Sequence, residues 1–236
     1  MDNLKSYLAI DEETGEEYSK ILYLDGNPTN IRADLKIGGF GIGDDKSQTE
    51  KKIKVLPIAY RQFISPMFLP KDQIEKAEME GEDVGSLAKE WLELFYLKSI
   101  GDGAWMVCHT IFKTWSKSNV LKALSDPTPI KKGNRFMIPK LTDLLLELSF
   151  STEKNGYGTF FKVEAKKEIA TPELTKMAND FIADHNIYAV DTLKENLRYR
   201  DYFQNIGYAG AFSAPSSLVA LPGADQQQPK GLEESF

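Results

Sequence analysis

A single cysteine, Cys108, and two histidines, His109 and His185, in 236 residues exclude whole classes of chemistry. One thiol cannot build a disulfide framework or a Cys-based zinc site, and its presence among apolar neighbours fits a reducing compartment. Long apolar runs are also missing. Nothing approaches the roughly 18 residues needed to span a bilayer, and the first residues lack the basic start and apolar core of a signal peptide. The expectation is a cytoplasmic protein with no membrane association.

Positive charge is in deficit too, with 29 Lys and Arg against 35 Asp and Glu, a net charge of −6. Its distribution is uneven. Between Lys98 and Lys167 the sequence holds twelve Lys and Arg and six Asp and Glu, a local excess of six, while acid collects in residues 11–17 and 72–93. A basic region of this kind is consistent with a local electrostatic footprint for an anionic partner. With 42 % hydrophobic and 11 % aromatic residues the chain has enough material for one generous core.

No internal repeat is visible, which sets repeat architectures aside. Residues 20–24 and 31–37 read as short strands joined by the turn Asp25-Gly-Asn-Pro28, and 52–63 as a strand that Pro57 confines to an edge or a bulge. The acidic stretch 72–89 reads as a loop or helical insertion. Residues 91–99 and 104–115 form the clearest hairpin, through Ile100-Gly-Asp-Gly103, and 116–125 a helix capped by Ser116 or Ser118 with Val120, Leu121 and Leu124 inward. A second hairpin joins 142–152 to 158–167. Thr171-Pro-Glu173 then opens a helix to about His185 with Leu174, Met177, Ala178 and Phe181 on one stripe, and another helix is expected over 191–203. From Gly207 onward small and polar residues take over, so residues 1–208 are expected to form one domain and 209–236 a flexible tail.

The catalytic inventory is thin. His109 and Cys108 are neighbours on a strand and point to opposite faces, which disfavours a Cys–His dyad and leaves His109 as a partly buried group with a local partner. His185 sits at a helix end, where an interaction with the helix terminus accounts for it. The glycine run Gly38-Gly-Phe-Gly-Ile-Gly43 opens no helix and carries no phosphate-loop lysine, so a sharp bend in a curved strand is the better reading. No enzyme, metal or cofactor is expected.

What remains is an interleaving of aromatic and basic residues: Tyr60, Arg61 and Phe63; Lys113, Trp115 and Lys117; Lys131, Lys132 and Arg135; Phe160 and Lys162. Single-stranded nucleic acid is held by this combination, because bases stack on rings while cations track phosphates. At the other end of the chain, the linker through Gly231 leads to Leu232-Glu-Glu-Ser-Phe236, where Glu233, Glu234 and the ring and α-carboxylate of Phe236 suit a basic-rimmed apolar pocket on a partner protein.

In these features the chain resembles the single-stranded DNA-binding proteins of bacteria and their phages, in which an OB-fold body precedes a disordered linker and an acidic tip ending in phenylalanine. The Gly158-Thr-Phe-Phe-Lys-Val163 strand followed by Thr171-Pro-Glu173 also looks like the closing strand and helix of phage-type versions. The resemblance implies an α+β protein built on an antiparallel OB-like β-barrel with a helical insertion, C-terminal helices and a disordered tail. It further implies sequence-tolerant binding of single-stranded DNA in replication, recombination or repair, recruitment of partner proteins through the tip, and compatibility with a homo-oligomer. The tip departs from the pattern in having few acids, and the body in being large. The rival reading is a protein-protein adaptor or phage assembly factor with no affinity for nucleic acid.

Overall fold

The computed structural model describes residues 4–23, 27–42, 49–66, 71–126, 128–132, 134–156, 158–185, 187 and 204–210. In chain order these form β1 (Leu8–Ile10), β2 (Glu17–Ser19), β3 (Ile21–Leu22), β4 (Thr29–Asp34), β5 (Gly39–Ile42), β6 (Thr49–Glu50), β7 (Lys52–Ser65) and α1 (Lys71–Glu80). There follow β8 (Lys89–Gly101), β9 (Ala104–Lys113), α2 (Thr114–Ser125), β10 (Ile130–Lys132), β11 (Arg135–Met137), β12 (Leu144–Asn155), β13 (Gly158–Ile169), α3 (Pro172–Asp184) and β14 (Gln204–Gly210). Ten strands make one sheet in the order β13-β12-β7-β8-β9-β4-β5-β6, with β14 also on β7 and β3 also on β9. The protein is α+β, dominated by a curled, half-barrel sheet.

The curl originates in β7. Its first half pairs with β12 (Lys52 opposite Ser149, Val55 opposite Leu146), and its second half pairs on the same edge with β14 (Ala59 opposite Gly210, Ile64 opposite Gln204). Between them the register against β8 shifts at Pro57 to Ala59. Proline has no amide hydrogen for the ladder, and an extra residue in one strand bends it and tightens the twist. Alternation along the strands then separates two cores. Ile53, Val55, Leu92, Leu94, Tyr96, Met106, Cys108 and Phe112 pack inside the curl with Val120 and Leu124 of α2. On the opposite face Ala59, Phe95, Leu97 and Val107 pack against Met177, Ala178 and Phe181 of α3 and Tyr7.

The two ends of the curled sheet approach each other where residues 35–38 turn from β4 into β5. The Phe161 N–H of β13 donates to the Leu35 carbonyl at 3.3 Å. Gly38 holds φ +63°, and a Cβ there would stand 2.7 Å from the Phe161 ring. The glycine run thus starts in the turn at Gly38 and continues as strand β5, and Gly38 has two reasons to be glycine. Gly38→Ala is expected to destabilise the fold by about 2 kcal/mol, from the left-handed backbone and the displaced ring together, read as a lowered melting temperature. The free edge of β13 is covered by α2: the Val163 N–H donates to Ser116 Oγ at 2.9 Å, and Asn119 Nδ2 donates to the Val163 carbonyl at 3.0 Å.

Several expectations need correction. Residues 20–24 and 31–37 do not pair with each other; β3 and β4 each run parallel to β9. β7 is a 14-residue central strand, with the bulge but not the edge position that Pro57 suggests. α2 begins at Thr114, two residues early, so Trp115 belongs to the helix; Ser116 is buried against β13 and no side chain caps the helix start. Residues 130–132 and 135–137, given no element in the sequence reading, form a hairpin. The two long hairpins, the acidic helical insertion and the Thr171 cap, whose Oγ accepts from the Leu174 N–H, are as read. β14, Gln204–Gly210, is the last described element. The helix expected over 191–203 and the tail residues Glu233, Glu234 and Phe236 lie outside the described residues. Among the described residues no helix is long and apolar enough to cross a membrane.

Candidate functional site

β4 pairs with β9 only where Thr29 meets Cys108 and Asn30 meets His109. Beyond that point β4 continues with β5 while β9 follows β8 to Lys113, and the divergence opens a cleft of about 490 Å³. Trp91 and Ile111 form its apolar wall; Arg32, Asp34, Lys36 and Lys113 contribute its charged groups. The Trp91 ring is buried and its Nε1 donates to the Ser65 carbonyl at 2.9 Å, so this wall is fixed in place.

At the lip of the cleft the chain turns abruptly from β9 into α2. Thr114 sits at φ +48°, a left-handed conformation that costs a β-branched residue of order 1–2 kcal/mol. The turn throws Trp115 outward. Its side is 48 % exposed, whereas Trp91 and Trp105 are buried, and its ring lies 5.3 Å from that of Phe160 at 46°. A half-exposed indole beside a second ring is a platform on which a planar group can stack.

Ion pairing sorts the surrounding cations. Lys117 is neutralised by Glu90, and Lys162 by Glu153 at 2.7 Å and Glu164 at 3.2 Å, contacts that raise its ammonium pKa. Arg32 lies 3.7 Å from Asp34. Lys36 and Lys113 are exposed and make no ion pair among the described residues. A free cation attracts an anion without first losing a partner, so the cleft rim is the part of this corner with charge to offer.

The eleven residues expected to contact nucleic acid thus separate. Lys113, Trp115, Lys117, Phe160 and Lys162 come together at the start of α2. Lys131 and Arg135 are exposed on the β10–β11 hairpin, with Lys132 in the same strand. Tyr60 is half buried, and that burial raises its hydroxyl pKa. Arg61 and Phe63 are sealed: both are 0 % exposed, and the guanidinium lies 5.4 Å from the Phe63 ring centre. Neither presents a surface to a strand passing outside. Reading Tyr60-Arg-Gln-Phe63 as a strand end hid this, because β7 continues to Ser65 between two neighbours. Arg32 and Lys36 were not anticipated, although Ile31, Ala33 and Leu35 alternate with Arg32, Asp34 and Lys36 in the period of a half-buried strand.

Arg61 belongs instead to a buried ionic cluster. Its Nε donates to Glu93 Oε2 at 2.5 Å, and His109 Nδ1 donates to Glu93 Oε1 at 2.7 Å. Burial works to raise the Glu93 carboxyl, but Arg61 and His109 outweigh it and the net displacement is downward. His109 accordingly has a local partner and stacks on Phe95, while Cys108 faces the other core with its thiol pushed up to about 12 by burial. A protonated thiol of that kind is a poor nucleophile. His185 donates from Nδ1 to the Phe181 carbonyl at the end of α3. Among the described residues there is no group of three or more His, Cys, Asp or Glu able to hold a metal.

No protein-family model, curated protein or solved structure matches the chain.

Proposed function

We propose that this chain binds single-stranded DNA in a sequence-tolerant manner, with Trp115 and Phe160 stacking on bases and Lys113, Lys36 and Arg32 holding the adjacent phosphates. The observation that carries the reading is the half-exposed Trp115 beside the partly buried Phe160, at the lip of a cleft whose lysines make no ion pair among the described residues. Rings accept any base through its π-face, and cations follow a backbone that is the same for every sequence.

The order of elements supports an OB-like interpretation of the half-barrel. A three-stranded meander, β7-β8-β9, is followed by α2 and then by a hairpin, β12-β13, whose first strand returns to the bent first strand of the meander. OB barrels bind oligonucleotides across their second and third strands and the neighbouring loops. Lys113 ends the third strand of this series, and Phe160 lies just after the turn of the final hairpin. β4, β5 and β6 then extend the sheet beyond the five strands of such a barrel.

The test is a titration with an oligo-dT of about twenty nucleotides at two salt concentrations, followed by tryptophan fluorescence. Trp115 is the exposed tryptophan, so its emission should be quenched on binding. Affinity should fall as salt rises, with a slope of about 0.7 per phosphate contacted. The acidic tip, read from sequence as a recruiting element that competes for the basic surface, gives a second outcome: removing Leu232 to Phe236 leaves affinity unchanged or raises it. Absence of quenching and of binding at low salt would leave the adaptor reading in its place.

A further inference from the structure

The β10–β11 hairpin belongs to no larger sheet. Its strands pair with each other alone, Ile130 opposite Met137, Lys131 opposite Phe136 and Lys132 opposite Arg135. Phe136 is 73 % exposed and Ile138 65 %, the most exposed large apolar residues after Met79 among those described. Packing does not account for the ring. Residues 128–140 contain Lys131, Lys132, Arg135 and Lys140 and no acid, in a chain whose net charge is −6. Lys131 and Arg135 are exposed and form no ion pair among the described residues, whereas Lys52 and Lys54 of β7 and Lys162 and Lys167 of β13 have carboxylate partners.

The hairpin is held at its root. Asp126, at the end of α2, accepts from Lys167 Nζ of β13 at 2.6 Å and from the Thr128 N–H at 2.9 Å. Pro129 leads into it and Pro139 leads out, and each fixes its own φ. An exposed two-stranded arm set on stiff, hydrogen-bonded roots loses little further freedom when it takes hold of a ligand. Trp115 and Ser125 are ten positions apart in α2, which places the root about 15 Å from the stacking pair along the helix.

Resting on the reading of the preceding subsection, we propose that the β10–β11 hairpin is a second, separate contact for the same single strand, stacking a base on Phe136 beside its cross-strand partner Lys131, which holds the phosphate, while Arg135 on the other face of the ribbon takes a neighbouring phosphate. Charge complementarity selects this occupant: an acid-free, cation-bearing arm with one free aromatic ring matches a polyanion that carries flat apolar groups. The strand would run from the Trp115–Phe160 platform along α2 to the arm. A short oligonucleotide fills the first contact alone, and a longer one reaches both.

The test compares the full chain with a Phe136→Ala, Lys131→Ala, Arg135→Ala variant, using labelled oligo-dT of about six and about twenty nucleotides. The wild type is expected to prefer the longer probe beyond the statistical gain in sites. In the variant, affinity for the longer probe should fall by about fivefold to 150-fold, the range of one lost stack, while affinity for the shorter one is unchanged. The unchanged short-probe affinity also shows that the variant is folded. Equal weakening on both lengths, or no change on either while the wild type binds, overturns the second contact and leaves the binding function standing. Failure of the wild type to bind either length overturns the function itself, and the arm's role with it.

Discussion

Arg61→Ala is expected to destabilise the fold by about 3–5 kcal/mol at neutral pH, the largest loss from any single substitution considered for this protein. The reason is what the substitution leaves behind. Glu93 is fully buried, and Arg61 is the chief group holding it in its charged form. Without the guanidinium, the largest force holding the carboxylate charged is gone and the opposing effect of burial gains weight. The same logic fixes the pH dependence. In the intact protein the folded-state pKa of Glu93 is depressed below its unfolded value, so its contribution is fully present above the unfolded pKa and is lost as pH falls through the folded one. In the variant the folded-state pKa rises, and acidification lets the buried carboxyl become neutral. The difference between the two proteins should therefore shrink as pH drops from about 7 toward about 4, the ordinary carboxylate range. Urea unfolding at both values measures it. A difference that is under about 1 kcal/mol at neutral pH, or that does not change on acidification, would mean that the cluster is relaxed and hydrated.

This cluster also aligns the strands that carry the site. Arg61 and Glu93 are directly opposite in the β7–β8 ladder, immediately beyond the point where β7 leaves β12 for β14. A slip of one residue would set Arg61 against Leu92 or Leu94 and turn every inward side chain outward. Such a slip would also move Trp91, which pairs with Phe63 on one side and Lys113 on the other. The buried charges thus act on the register that places the cleft wall and its lysine, at a distance from any ligand.

What was legible in the sequence was local. The long hairpins announce themselves through alternation and through the Gly101-Asp-Gly103 and Asn155-Gly156 turns, and α3 through its Thr-Pro-Glu opening, because all of these signals lie within a dozen residues. Pairing across greater separation was not legible: β3 and β4 flank a turn signal that promises a hairpin, yet both align with β9, some eighty residues further on. Burial was read least well. Arg61 looked like a surface cation because charge suggests exposure, and only Glu93 and His109, brought beside it by the sheet, make its burial tenable. Trp115 was read as the end of a strand because nothing in Phe112-Lys-Thr-Trp115 marks a helix start; Thr114 adopts a conformation that a β-branched residue normally avoids. That departure from local preference falls at the lip of the proposed site, where constrained backbone tends to accompany function.

Trp115→Ala should then lower affinity for single-stranded oligo-dT by about fivefold to 150-fold, the equivalent of one base stack. Its salt dependence should stay as it is, since an indole neutralises no phosphate and releases no counterion. Lys113→Ala should show the complementary pattern: a smaller loss at high salt than at low, and a slope reduced by about 0.7. Because Trp115 is half exposed and packs on Phe160 alone among the described aromatic contacts, its removal should leave the fold intact. Trp115→Phe, which keeps a ring, should retain most of the binding. The substitution removes the fluorescent reporter, so the measurement is anisotropy of a labelled oligonucleotide. The contrast between the two variants discriminates where either alone does not: a general loss of structure would lower affinity and slope together in both. If Trp115→Ala binds as the intact chain does, the stacking platform is not where the bases lie. The free lysines of the cleft would then serve an anion without a base attached.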